Sequence, residues 1–431
     1  MTEQAPIWDL IIIGGGASGM SAAVSYQKMH MDRMNSYGQV LVLEKNDRVG
    51  KKVLATGNGR CNLSNKDMAL THFHSHETAW AESVLRLVDS ESVLTFLGEI
   101  GIPVASEGNK IFPMSKSASS VVDAFRFAMK ECNVSLETDA EVESIEKTED
   151  IFSVYTKNGN AFFSNHIIVA CGGACAPSLG TTGDGYKWLN KFGHKVFAPK
   201  PSIVQVVTDN SVTKTLSGLK LDCDLSLNSK DMLLAHQYGE VLFTDYGLSG
   251  PAVFQVSGVV SRYNRKNGLS IPMTISLKLF NDEELRLIRV EIGRRISAWG
   301  ERTLDQLLIG ILPGKIASML LKSALARPLS ILIATLSNED IEKIVKTLKA
   351  WKFEVIGTKS LEFAQTTIGG ADVSEFSYET MESNLVPGLF ACGEVLDVDG
   401  DCGGYNLTWA FASGILAGRS VALHAEDEHA E

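Results

Sequence analysis

Long apolar runs are missing from this chain of 431 residues. No segment reaches the roughly 18 uninterrupted apolar residues that span a bilayer, so no membrane helix is expected. The opening Met1-Thr2-Glu3-Gln4 has no basic stretch, and the first apolar run breaks into glycines, so no secretory signal is expected. Cysteine is sparse: seven residues, an odd number, scattered and without a C-x-x-C pair. That pattern argues against a disulfide framework and for reduced thiols in a cytoplasmic protein. Positive charge is short as well, with 40 Lys+Arg against 51 Asp+Glu and a net charge of −11. An acidic balance argues against nucleic acid or an anionic membrane as the main partner. Internal repeats and low-complexity tracts are absent, and the acidic tail Ala425 to Glu431 is expected to fray.

What remains is an ordinary globular composition, 45% hydrophobic and 21% charged, on a chain long enough for two or three domains. Its most informative stretch is Asp9-Leu10-Ile11-Ile12-Ile13-Gly14-Gly15-Gly16-Ala17-Ser18-Gly19. A continuous apolar run suits a buried parallel strand. The G-x-G-x-x-G that ends it assigns a tight turn to Gly14, close approach of backbone to a pyrophosphate to Gly16, and close helix packing to Gly19. A helix over Met20 to Lys28 and a second strand over Gln39 to Leu43 complete the unit, with a loop around Asp32 to Gly38 between them. Glu44 ends that strand, where a carboxylate accepts both hydroxyls of an adenosine ribose. The motif in this setting marks a dinucleotide site.

The loop Gly50-Lys51-Lys52-Val53-Leu54-Ala55-Thr56-Gly57-Asn58-Gly59-Arg60-Cys61-Asn62 holds too few apolar residues to predict a core element, but many donors for a ligand. Helical patterns follow over Glu77 to Ile100 and Ser119 to Glu131. Strands are expected at Val134 to Leu136, Ile151 to Lys157, Ala161 to Phe163 and His166 to Ala170. The last of these runs into Cys171-Gly172-Gly173-Ala174, and a helix is expected near Tyr186 to Phe192 after the turn-rich 180–185. Pro199-Lys200-Pro201 changes the character of the chain. Short β-like runs follow at Ile203 to Val207, Leu219 to Leu227, Glu240 to Thr244 and Met273 to Leu279, then helical ones at Glu283 to Ala298, Leu304 to Leu307, Ile316 to Leu325 and Glu339 to Ala350. Pro387 to Glu394 reads as a returning strand that ends in Gly393-Glu394, and Leu407 to His424 as a small-residue helix after Gly403-Gly404. A fold that needs both chain ends suits FAD stretched across a sheet better than a compact NAD domain.

Taken together, Gly14 to Gly19, Thr56-Gly57-Asn58-Gly59-Arg60-Cys61-Asn62, Gly393-Glu394-Val395-Leu396-Asp397-Val398-Asp399-Gly400 and Gly403-Gly404-Tyr405-Asn406-Leu407 closely resemble the NAD(P)/FAD-dependent flavoproteins of the BaiN-like or aminoacetone-oxidase family. The resemblance runs over essentially the whole chain. One departure is Asn109-Lys110-Ile111-Phe112-Pro113, where the family often has Gly-Arg before Phe-Pro. The fold it implies is α/β: a Rossmann-like FAD-binding domain of the glutathione-reductase type with an inserted β-barrel plus helical domain. Its expected layout is 1–198 for the first part of the FAD domain, 199–281 for the barrel, 282–350 for the helices, 351–368 for a return strand to the barrel, and 369–431 for the last part of the FAD domain.

Carried over by position, the resemblance implies that Gly14, Gly16, Ala17, Ser18 and Gly19 cradle the pyrophosphate, Glu44 takes the ribose, and Lys45 and Lys52 lie beside the phosphates. Thr56, Gly57, Asn58, Gly59, Arg60, Cys61 and Asn62 run along the flavin end. Val142 pairs with adenine, and Ala170, Gly172 and Gly173 form the second close-approach strand end. Gly393, Glu394 and Asp397 belong to the ribityl segment, with Glu394 as acceptor. Gly404, Tyr405, Asn406 and Leu407 open the helix aimed at flavin N1–C2=O, where a helix N-terminus stabilises negative charge.

Three further signals compete. Cys61 stands alone beside the expected flavin, and Cys171/Cys175 and Cys392/Cys402 lack relay spacing, so no redox disulfide is expected. His72, His74 and His76 alternate and would share one face of a strand, but they lack partners at metal-site spacing, so no metal is expected. There is no second complete G-x-G-x-x-G and hence no dedicated NAD domain. NAD(P)H, as a transient reductant, would visit the flavin face directly. The implied activity is hydride exchange between flavin N5 and a small organic substrate held between the FAD and inserted domains, in the direction of reducing an activated C=C bond. Alternatives are an amine oxidase that passes electrons to oxygen and a non-catalytic flavin-binding regulatory or RNA-associated protein. Tyr405 and Arg60 are candidate acids by position only; catalytic residues and oligomeric state stay unassigned.

Overall fold

The computed structural model describes residues 6–265 and 268–427; Met1–Ala5, Lys266–Asn267 and the end of the tail, Glu428–Glu431, lie outside the described residues. The chain divides into two compact units, Met1–Lys200 with Ala364–Glu431, and Pro201–Phe363.

The first unit is built on a seven-stranded sheet. Ile7–Ile13 lies between Val40–Leu43 and Ala161–Val169, parallel to both, and Ser135–Glu137 extends the sheet beyond Val40–Leu43. Leu10 to Ile13 and Val40 to Leu43 are fully buried, as a strand covered on both faces must be. The strands expected at Ala161 to Phe163 and His166 to Ala170 are one strand, Ala161–Val169. Its first half pairs antiparallel with Ile151–Thr156 and its second half parallel with the returning Leu389–Ala391. One strand with two kinds of neighbour carries two burial patterns, which is why it reads as two in sequence.

Helix Ala17–Met34 runs through part of the expected Asp32 to Gly38 loop and stops at Asn35, a left-handed residue. The C-terminal helix, Tyr405–Asp427, lies along it. Gly414 and Gly418 permit that packing, since a Cβ on them would stand 2.3 and 2.2 Å from the carbonyl oxygens of Ser18 and Ala22. The helix includes Ala425 to Asp427, the first part of the tail expected to fray. The pattern over Glu77 to Ile100 is two helices, Thr78–Leu87 and Ser90–Glu99, because Asp89 caps the second by accepting from the Ser92 amide at 2.8 Å. The stretch after Glu44 forms more than a loop: Lys51–Ala55 is helical and Val53, Cys61 and Leu63 are buried.

In the second unit six strands close a barrel, in the order Val206–Thr208, Gly247–Ser249, Met232–Phe243, Lys220–Ser229, Met273–Lys278 and Trp351–Thr358. Strict alternation in Trp351–Thr358 sends Trp351, Phe353 and Val355 inward. A helix, Pro251–Tyr263, interrupts the β region where only strands were expected. Its valines favour strands locally, but Val253, Val256 and Val260 recur at helical spacing and bury against the barrel core. Helices Asp282–Ala298 and Asn338–Lys349 open with capping boxes, Asn281 with Glu284 and Ser337 with Asp340, and join the same apolar cluster.

Candidate cofactor cleft

The chain leaves the first strand at Gly14, whose φ of +113° suits only glycine. A Cβ there would stand 2.6 Å from the Ala170 carbonyl oxygen, and one on Gly19 would stand 1.9 Å from that of Gly14. Gly16 is different, because a Cβ there meets nothing within 4 Å. It borders an open cleft whose lining residues all belong to the first unit. Gly16 directly precedes helix Ala17–Met34, so the unpaired amides and positive dipole end of that helix meet the cleft without a side chain in the way.

Glu44 lines the cleft and is 7% exposed. Its Oε2 accepts from the Gly15 amide at 2.8 Å, and its Oε1 accepts from the Asn46 amide at 2.8 Å and Asn46 Nδ2 at 2.6 Å. A carboxylate has about four acceptor positions, so one stays available to a ligand. Glu44 therefore also ties the glycine turn to the second strand. Lys45 turns to the opposite rim, where its Nζ donates to Thr182 Oγ1 at 2.6 Å and Asp184 Oδ2 at 3.0 Å. Burial alone would raise the Asp184 pKa, but the Thr182 hydroxyl and Lys45 outweigh it and hold the carboxyl below its usual range.

Further along the cleft, Lys52 Nζ lies 2.6 Å from Glu394 Oε2 and 3.1 Å from Cys175 Sγ, while the Cys175 thiol donates to Glu394 Oε1 at 3.2 Å. The Thr367 amide adds a bond of 2.8 Å to the same oxygen. Burial disfavours both charges, yet the pairing prevails: the Lys52 pKa is raised and the Glu394 pKa lowered. Burial pushes the Cys175 thiol up to about 11, so it stays protonated.

The structure brings Gly14, Gly16, Ala17, Ser18, Glu44, Lys45, Lys52, Thr56, Val142, Ala170, Gly172, Glu394, Asn406 and Leu407 to this one cleft. Gly19, Gly173 and Gly393 stand behind its wall in packing positions, with Gly393 donating its amide to Ser413 Oγ at 2.9 Å. Of the Thr56 to Asn62 segment only Thr56 lines the cleft. Gly57, Asn58 and Gly59 are exposed, and Cys61 is buried with its thiol pushed up to about 11 by that burial. Arg60 lies over the Phe112 ring at 4.4 Å and pairs with Glu107 at 2.6 Å, which gives the divergent Asn109 to Pro113 segment a packing role. Asp397, 1% exposed, and Gly404 and Tyr405 also lie off the cleft. Neither candidate acid, Arg60 or Tyr405, lines it.

Sequence reasoning missed Thr181, Thr182 and Asp184, which it read only as a turn, and Gln365 and Thr366, which carry no motif. Among the described residues six buried side-chain oxygens have no hydrogen-bond partner, and one of them, Thr366 Oγ1, belongs to a residue that lines the cleft. An unobstructed glycine turn at a helix start, a buried carboxylate with acceptor capacity to spare and the unpartnered Thr366 hydroxyl fit an extended dinucleotide such as FAD.

Comparison with known proteins agrees with that geometry. The family model described as the HI0933-like protein Rossmann domain matches residues 8–420. A 3-dehydro-bile acid delta(4,6)-reductase of Clostridium scindens is 32% identical over 413 residues, 95% of this chain and 98% of that protein. A ribosomal RNA dihydrouridine synthase of Haemophilus influenzae is 30% identical over 423 residues, 96% of this chain and 98% of its own. Among solved structures, a 3-ketosteroid delta1-dehydrogenase of Sterolibacterium denitrificans shares the fold at 13% identity and a TM-score of 0.50, over 97% of this chain and all of its own. No helix among the described residues is long and apolar enough to cross a membrane.

Proposed function

Because the chain belongs to the HI0933-like family, and on that ground is an FAD-dependent oxidoreductase, we propose that it reduces a C=C bond conjugated to a carbonyl, with NAD(P)H as electron donor. One observation carries the reading. Two relatives matched end to end bear names for different substrates, a 3-dehydro bile acid and a uridine in ribosomal RNA, but the same kind of bond. In each, the double bond is polarised by a neighbouring carbonyl, which prepares its far carbon for hydride.

Bound FAD supplies the two-electron chemistry. The chain's own residues supply position and field. The Gly14 to Ser18 turn and Glu44 hold one end of the cleft's ligand, and the Lys52–Glu394 pair fixes a polar wall further along. Asn406 and Leu407 bring the first turn of the C-terminal helix to the cleft, and its free amides favour negative charge developing there. A cytoplasmic setting, where nicotinamide reductants are found, suits the scattered cysteines.

The preferred substrate is a small enone. Charge distribution favours a second reading, a uracil ring in RNA. The second unit carries 20 Lys+Arg against 17 Asp+Glu, so the acidic balance belongs to the first unit alone. Anaerobic mixing with NADH or NADPH should bleach bound flavin, and an enone steroid should restore its colour within seconds. Recolouring by ribosomal RNA and not by the enone would decide for the second reading. Absence of bleaching by both nicotinamides would defeat the reductase reading.

A further inference from the structure

His72, His74 and His76 do not line the cleft, and all three rings are turned to one segment, Asp397 to Asp401. Asp397 Oδ2 accepts from His76 Nδ1 at 2.6 Å and from the His76 amide at 2.9 Å. Asp401 takes His72 Nδ1 on one oxygen and His74 Nε2 on the other, each at 2.9 Å. Backbone pairing of Phe73–His74 with Asp399–Gly400 and a bond from the Asp401 amide to the His72 carbonyl add to the seam. His72 Nε2 also lies 3.4 Å from Asp67 Oδ2. A neutral imidazole has a single N–H, so carboxylates on both nitrogens of His72 call for the imidazolium.

The held segment reaches the cleft. Val398 and Asn406 line it, and the Asn406 side chain accepts from the Gly400 amide at 2.9 Å and donates to the Gly400 carbonyl at 2.7 Å. We propose that His72 is a pH-dependent positioning residue: as an imidazolium it clamps Asp401, and through it the Asp397–Asn406 wall, so the cleft's hold on its dinucleotide weakens as pH rises through neutrality. The proposal rests on the FAD reading above.

The other groups around the seam are Tyr405, whose ring stacks on His72 at 4.5 Å, Lys110, whose charge acts on the adjoining Cys402, and Lys195, which sits over the Phe197 ring that stacks on His76. Burial of the His72 ring works against its charge, but the bonds to Asp401 and Asp67 outweigh it and raise its pKa above the usual 6.5. A raised pKa means that the clamp is at full strength below pH 6.5 and is lost as pH climbs through the raised value.

The test is FAD titration of the apoprotein by flavin fluorescence from pH 6 to 8.5, alongside amide-exchange protection of residues 397–406 in the apoprotein, corrected for intrinsic rates. In the wild type the dissociation constant should rise about threefold more across this range than in His72→Gln, and protection should fall with pH in the wild type but not in His72→Gln. His74→Gln, which leaves both His72 bonds in place, should keep the wild-type trend. Protection in the wild type that is flat with pH, or a trend that survives in His72→Gln, overturns the clamp. A pH-dependent protection with no FAD binding at any pH overturns the cofactor reading, and the effect on grip with it.

Discussion

The two units of this protein have opposite electrostatic characters. The first, 20 Lys+Arg against 34 Asp+Glu, carries −14, whereas the second carries +3. The acidic unit also holds the whole cleft, with its cations spent on pairs such as Lys45–Asp184 and Lys52–Glu394. The basic unit is a barrel with helices around its own apolar cluster. A whole-chain charge of −11 averages over these two and describes neither. Charge acts on partners through the surface that meets them, so each unit presents its own field.

Four experiments bear on this division of labour. Trp351→Ala, which empties a buried site in the barrel, should cost about 3–5 kcal/mol in urea unfolding of the second unit. FAD affinity should be unchanged, and a loss of it would deny that the cleft is self-contained. Gly19→Ala is the counterpart in the first unit. Its Cβ meets the Gly14 carbonyl oxygen, so about 3 kcal/mol of stability and measurable FAD retention should go together. Glu44→Gln keeps the shape but removes a charged acceptor and should weaken FAD binding by about 1.5 kcal/mol or more, roughly tenfold, by equilibrium dialysis. Smallest is the rim pair, where Lys45→Ala and Asp184→Ala should each speed FAD release by about threefold and act non-additively together, with the effect fading in 0.5 M salt. Additive rates would mean that the two residues act separately.

The parts of the site that were legible in sequence are those where backbone geometry dictates residue type. Gly14 must be glycine because of its φ, and Gly19 because of the carbonyl beneath it, so both leave a spaced signature. Glu44 is visible because it ends a strand whose start the glycines fix. Thr182 and Asp184 were not legible, because nothing local tells which turn borders a ligand, and Thr366 opens a strand, Thr366–Ala371, that carries no motif. The Thr56 to Asn62 loop shows the reverse. Its composition suggests a ligand surface, but only Thr56 faces the cleft, and Cys61 and Arg60 serve packing and pairing. Helix Pro251–Tyr263 escaped for a different reason: burial against the barrel overrides the strand preference of its valines.

By itself the sequence determined the parallel-sheet nucleus, the glycine turn at Gly14 to Gly19 and the acid at Glu44, because period, turn chemistry and spacing are local properties of a chain. Tertiary structure alone decided which of 26 expected site residues share one cleft. It alone set Lys52 against Glu394 across 342 positions of sequence and gave His72, His74 and His76 to Asp401 and Asp397. Those outcomes depend on contacts between distant segments, and a contact across such distances leaves no mark on either segment read alone.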